Sequence, residues 1–126
     1  MSQLRPGEWE QFVACFPDAT LLDAADGSTI VFIAALSLST EWSMERSPVW
    51  FAAPVGYPAA QPDCFWASSE LRLSSGATPS NSGQQIIPGL QQAALWFSWH
   101  LTTWRPADDD LTTYARFIQR RFADAR

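Results

Sequence analysis

His100 is the only histidine in the chain, and Ser98 stands two residues before it. An imidazole titrates near neutral pH, so it can take up a proton or attack a carbonyl carbon itself. A hydroxyl becomes a useful nucleophile only beside such a base, and for Ser98 the sequence offers His100 alone. Ser98 and Ser82 are therefore both weaker candidates than His100. The remaining nucleophiles are two thiols, Cys15 and Cys64. Cys15 falls beside an apolar helical stripe, and Cys64 opens a strand with Phe65 and Trp66. Both settings suit a free cysteine packed as a small hydrophobe. His100 closes the aromatic run Trp96-Phe97-Ser98-Trp99-His100, so a purely structural, hydrogen-bonded role is open to it as well as an active-site role. No Gly-x-Ser-x-Gly elbow accompanies Ser98, which argues against a small serine hydrolase.

Composition narrows the classes of function. With 126 residues, 47% of them hydrophobic, the chain is expected to form one domain over residues 1–126 and to bury its core without metal or disulfide staples. A net charge of −5 argues against a nucleic-acid module, which needs a basic face. No apolar run is long enough to span a membrane. Met1-Ser2-Gln3-Leu4-Arg5-Pro6 lacks the basic and hydrophobic regions of a secretory leader. Two cysteines without an export signal read as free thiols, and a cytoplasmic location is the expectation. All eight basic residues are arginine, so no lysine is present to accept an acyl group from a neighbouring thioester. Asp108, Asp109 and Asp110 read as helix-capping and solvated residues, because no histidine or spaced carboxylate joins them. Neither a metal nor a cofactor is expected.

The elements that must position these residues follow from periodicity. Trp9, Phe12, Val13 and Phe16 draw one stripe on a helix from Glu8 to Phe16, which Pro17 stops. Strands are expected over Asp18 to Ala24, Ser28 to Leu38, Pro48 to Val55 and Cys64 to Leu73, with Ala25-Asp26-Gly27 as a tight turn. Ser74 to Gln92 is rich in Ser, Gly, Pro, Asn and Gln and reads as a structureless segment. For Ala93 to Thr103 periodicity does not decide between strand and helix, and a helical turn or two is favoured. Leu111, Tyr114, Ala115, Ile118 and Phe122 then mark a helix over Asp110 to Phe122, with aspartates at its start and arginines toward its end. The expected fold is therefore α+β, a four-stranded antiparallel meander flanked by an amino-terminal and a carboxy-terminal helix. Seven tryptophans and eight phenylalanines imply either an aromatic-rich core or a docking face.

Tyr57-Pro58-Ala59-Ala60-Gln61-Pro62 between two strands resembles the turn of the ubiquitin-conjugating (E2) superfamily and of its non-catalytic RWD relatives. Trp104-Arg105-Pro106 ahead of the last helix resembles the Trp-x-Pro that follows the E2 active site. Together with Pro62-Asp63-Cys64-Phe65-Trp66 and Trp96-Phe97-Ser98-Trp99-His100, these segments resemble prokaryotic E2 family E. The resemblance spans roughly Val49 to Phe122. It implies a UBC-like fold and an E2-like component of a bacterial ubiquitin-like conjugation system. Its partners would be an E1-like activating enzyme and a ubiquitin-like modifier, with genes encoded beside it for both and for a deubiquitinase-like metalloprotease. It also implies that Arg5, Glu8 and the exposed face of Glu8–Phe16 meet the activating enzyme. Counting forward from Pro58 and back from Trp104 places the usual E2 cysteine near Ser82 and near Trp96, and the window 82–104 contains no cysteine. The His-Pro-Asn signature is absent too, and Thr78-Pro79-Ser80-Asn81 is only a faint echo of it. Two readings stay open: an E2-like transferase that lacks the usual cysteine and has His100 at its site, or an RWD-like protein-docking module.

Overall fold

Gly7 turns the chain into α1 (Glu8–Cys15), and β1 (Ala19–Asp23) follows directly after Pro17. Next come β2 (Thr29–Ser37), β3 (Arg46–Ala53) and β4 (Phe65–Ala67). β5 (Ser82–Ile87), β6 (Gln92–Phe97) and α2 (Leu111–Ala123) complete the order. This computed structural model describes residues 4–126, so the leader reading at Met1–Gln3 lies outside the described residues. Among them no helix is long and apolar enough to cross a membrane.

The α+β class and the antiparallel meander of the first four strands agree with the sequence reading, but the sheet has six strands rather than four. Its order is β1-β2-β3-β4-β6-β5, with every neighbouring pair antiparallel. The two added strands form a hairpin inside segments expected to be structureless and helical. β5 (Ser-Gly-Gln-Gln-Ile-Ile) is an edge strand with one buried residue, Ile87, so no alternating apolar signal marks it. β6 carries apolar side chains on both faces, which erases the period-two pattern. β4 is also much shorter than Cys64 to Leu73, because the chain turns away after Ala67.

Both helices pack on one face of the sheet. Val31, Val49, Phe51, Phe65, Leu95 and Phe97 point there from four strands and meet Phe12, Tyr114, Ile118 and Phe122 from the helices. Phe65 and Phe97 stack at 4.7 Å across β4 and β6, and Phe122 of α2 closes on both rings edge-on at 5.4 and 5.6 Å. Each ring so buried contributes about 1.5–3 kcal/mol.

The other face is apolar as well. Phe32, Trp50, Trp66 and Trp96 lie in consecutive cross-strand register over β2, β3, β4 and β6. The β5–β6 turn bends back over this face. Ile87, Leu90 and Ala94 share a cluster with Ala24, Ile30, Trp50 and Trp66. Gly89 sits at φ +82°, and a Cβ there would lie 2.8 Å from the Ala24 Cβ, so only glycine fits this approach. The aromatics therefore serve both faces of the sheet, with Phe32 and Trp96 half-buried on the outer one.

Glu8, which the resemblance places among the residues that meet the activating enzyme, is buried, 5% exposed. Its carboxylate accepts from the Tyr57 hydroxyl, from Leu111 N–H at 2.9 Å and from Arg5 N–H at 3.0 Å. One side chain thus joins α1, the Tyr57-Pro58 turn and the first residue of α2. The Arg5 guanidinium donates to the carbonyls of Asp109, at 2.9 Å, and Pro106. The face of α1 left to solvent consists of Glu10, Gln11, Ala14 and Cys15. Glu8→Ala strands a buried hydroxyl and a buried helix N–H, and should lower stability by about 3 kcal/mol. Glu8→Gln keeps an acceptor oxygen and should cost less. Urea denaturation near neutral pH measures both; a loss under about 1 kcal/mol for Glu8→Ala would contradict the assigned role.

Candidate functional site

β4 and β6 are neighbours, paired Phe65 with Phe97. Extending that register beyond the strand ends brings the residues before β4 beside those after β6. Cys64 N–H donates to Trp99 O at 3.0 Å, which continues the ladder by one bond. Cys64 itself has φ 59°, a left-handed conformation unusual outside glycine. The kink swings Asp63 out of the ladder toward His100. Tyr114 of α2 locks the junction from below: its buried hydroxyl reaches Cys64 O at 2.9 Å and Trp99 O at 3.2 Å.

The outcome is a chain of three side chains at the rim of the sheet. His100 Nδ1 lies 2.6 Å from Asp63 Oδ1, and His100 Nε2 lies 3.0 Å from Ser98 Oγ. A carboxylate only accepts, so Nδ1 carries the proton, and Nε2 of the neutral ring is left to accept from the Ser98 hydroxyl. Ser98 is held by its own N–H, which donates to Asn81 O at 2.8 Å. The imidazole is open to solvent, with 56% of its side chain exposed, and Asp63 is similarly exposed at 58%. His100 is hydrogen-bonded, but it is not packed among the aromatics. Trp96 lies on the outer face, Phe97 is in the core, and Trp99 stacks on Phe117 at 4.8 Å while donating to Phe117 O.

Sequence reasoning singled out His100 and Ser98 and passed over Asp63, which is 37 residues from His100 in sequence. The signal that could have found it is Asp63 next to Cys64 at the start of a strand, once β6 is taken as that strand's partner. Cys64 is buried as expected, and its Sγ is 3.9 Å from His100 Nδ1, the nitrogen already engaged by Asp63. Burial pushes the Cys64 thiol above the ordinary cysteine range, and the nearby Asp63 charge adds to this. Cys15 departs from expectation: it is exposed, on the outer side of α1. Ser82 Oγ is committed to Pro79 O at 2.6 Å. Of the three aspartates before α2, Asp110 is its N-cap, accepting from Thr113 N–H at 3.0 Å, and Asp109 accepts from Arg105 N–H at 2.7 Å.

Asp63, Cys64 and His100 each offer one potential metal-ligand atom, all within 4.8 Å of one another. Two ligands of one tetrahedral zinc sit about 3.3 Å apart at ordinary bond lengths. The 2.6 Å between Nδ1 and Oδ1 is the geometry of a hydrogen bond between them.

The two segments that carried the family resemblance touch each other. The Tyr57 and Trp104 rings lie 6.0 Å apart, and Trp104 Nε1–H donates to Pro58 O at 2.7 Å. The model of prokaryotic E2 family E matches residues 19–125. The chain belongs to prokaryotic E2 family E. Comparison with curated proteins and with solved structures gave no match. In this member of family E the site is assembled by the β4–β6 pairing and by Tyr114, and the chain holds no cysteine after Cys64.

Burial raises the phenol pKa of Tyr114, and of Tyr57, well beyond the ordinary tyrosine range. For Tyr57 the hydrogen bond and charge of Glu8 add to the effect. A group whose pKa is raised by folding contributes stability that is fully present below its unfolded value, about 10, and lost as pH rises above it. Stability should therefore fall above pH ~10 by about 1.4 kcal/mol per pH unit for each tyrosine. Tyr114→Phe should remove about half of that slope, and at neutral pH should cost about 1–3 kcal/mol, because Cys64 O loses its partner while Trp99 O keeps the Cys64 N–H. Denaturant titrations at several alkaline pH values test this; an unchanged slope in Tyr114→Phe would contradict it.

Proposed function

We propose that the chain, acting as one domain over residues 1–126, is the E2-like component of a bacterial ubiquitin-like conjugation system. In this reading it works in the cytoplasm, engages an E1-like activating enzyme and the ubiquitin-like modifier, and carries His100 at its site in place of cysteine chemistry. Membership of prokaryotic E2 family E is the observation that carries this reading. The geometry adds support. His100 is exposed, oriented by a carboxylate and within general-base reach of a hydroxyl, as a site serving protein substrates requires. Cys64 has the opposite character, buried and with its thiol held protonated.

The activating enzyme is assigned to the exposed face of α1. Glu8 supports that surface from within by fixing α1 to Tyr57 and Leu111. Arg5 borders it, held by Asp109 and Pro106. An RWD-like docking module would use the same surfaces and have no need of His100, so His100 separates the two readings.

A Cys15→Ser/Cys64→Ala variant should bind an E1-like activating enzyme as the parent chain does and retain conjugation-linked activity with modifier and ATP. His100→Ala should abolish that activity while keeping the binding, and should lower stability by less than about 1 kcal/mol, as expected for a half-exposed side chain. A thiol-labile modifier adduct on Cys64, seen on gels with and without reductant, would overturn the cysteine-free reading. Full activity in a folded His100→Ala variant would leave the docking-module reading.

A further inference from the structure

We propose that Ser98 is the acyl-accepting nucleophile of this site, so that the protein carries its acyl group as an oxygen ester; this rests on the conjugation reading above for the identity of the acyl donor. Ser98 Oγ lies 3.0 Å from His100 Nε2, inside the range in which a base takes a hydroxyl proton. Asp63 Oδ1, 2.6 Å from Nδ1, fixes the tautomer that leaves Nε2 free to accept that proton. The same nucleophile–base–orienter relation serves acyl transfer on unrelated folds. No other hydrogen-bond partner of Ser98 Oγ is found among the described residues, whereas Ser82 Oγ is tied to Pro79 O. The Ser98 backbone is anchored at Asn81 O and at the end of β6, so the hydroxyl projects from a fixed point. The imidazole and carboxylate are half-exposed, which leaves room for a macromolecular donor to cover them.

The step balances without a further reagent. Ser98 Oγ attacks the carbonyl carbon of a thioester donor, forming the O–C bond as the C–S bond breaks. The hydroxyl proton passes to His100 Nε2 and from there to the departing sulfur. In the second half an amine attacks the ester and gives its proton to His100 Nε2, which passes that proton to Oγ as the C–O bond breaks. Asp63 is a positioning residue, acting through the ring.

A fluorescein-labelled glycine thioester of mercaptoethanesulfonate tests this with the full chain. One acyl group per chain, resistant to reductant and cleaved by hydroxylamine, should map to Ser98 by mass spectrometry. Ser98→Ala should lose it, and Ser82→Ala should keep it. His100→Ala should slow its formation by about 10²–10⁴-fold. Asp63→Asn should slow it and alter the pH–rate profile, and Asp63→Glu should restore part of the rate. A reductant-resistant adduct absent from the folded protein, unchanged in Ser98→Ala, or mapped elsewhere would overturn the proposal. Binding of the activating enzyme, measured alongside, separates the two readings. Binding without acylation of Ser98 sinks this inference alone. Acylation of Ser98 without binding sinks the conjugation reading and leaves a serine acyl-enzyme.

Discussion

The Tyr114 hydroxyl is the contact on which the site depends. It sits in the core on α2 and reaches the carbonyls of Cys64 and Trp99, the residues that stand between the sheet and the exposed side chains. β4 has only three residues, too few to hold a precise register through its own ladder. A buried hydroxyl shared by both strand ends supplies the missing constraint, and the Cys64 N–H to Trp99 O bond completes it. Because α2 is capped by Asp110 and its Leu111 N–H is tied to Glu8, the position of Tyr114 is itself fixed from α1 and from the Tyr57-Pro58 turn. The rim geometry is thus set by packing on the helical side of the sheet.

The outer face explains why so many aromatics are present without a large exposed patch. Phe32, Trp50, Trp66 and Trp96 form a row across four strands, and the β5–β6 hairpin bends back toward β1 to cover part of it. Trp66 Nε1–H finds Gln85 Oε1 on that hairpin at 3.3 Å, so a polar residue of an edge strand satisfies a donor on an apolar face. Of the aromatics posed by composition as core or docking face, one layer is buried under the helices and the other is covered in part, with Phe32 and Trp96 half-buried.

Where a β-branched or aromatic run sits between turn signals, or a stripe repeats at the helical period, the sequence is legible. β1, β2 and β3 fall within two residues of their expected ends, and the stripe Leu111, Tyr114, Ala115, Ile118, Phe122 lies buried on α2 as its period requires. β5 and β6 were illegible for opposite reasons: a solvent-facing edge strand has no apolar period, and a strand buried on both faces has no polar one. That omission also hid the site. Ser98 and His100 are neighbours in sequence and were read together, but Asp63 joins them only through the β4–β6 pairing. Glu8 shows the limit of helical periodicity: it lies outside the apolar stripe of α1, and its burial reflects partners nearly fifty and more than a hundred residues away.

An oxygen ester at Ser98 would behave differently from the thioester it replaces. Oxygen esters yield to amines less readily than thioesters do, because an alkoxide is the poorer leaving group, so return of a proton from His100 to Oγ matters more than it would for sulfur. Such a carrier tolerates an exposed position, since a slower reaction with stray nucleophiles offsets the open surroundings of Asp63 and His100. The absence of lysine points the same way: no ε-amine anywhere in the chain can intercept the acyl group at short range. The thiol of Cys64 is buried beside the same imidazole, whereas Ser98 is half-buried, so on the proposed reading access rather than intrinsic reactivity decides between them.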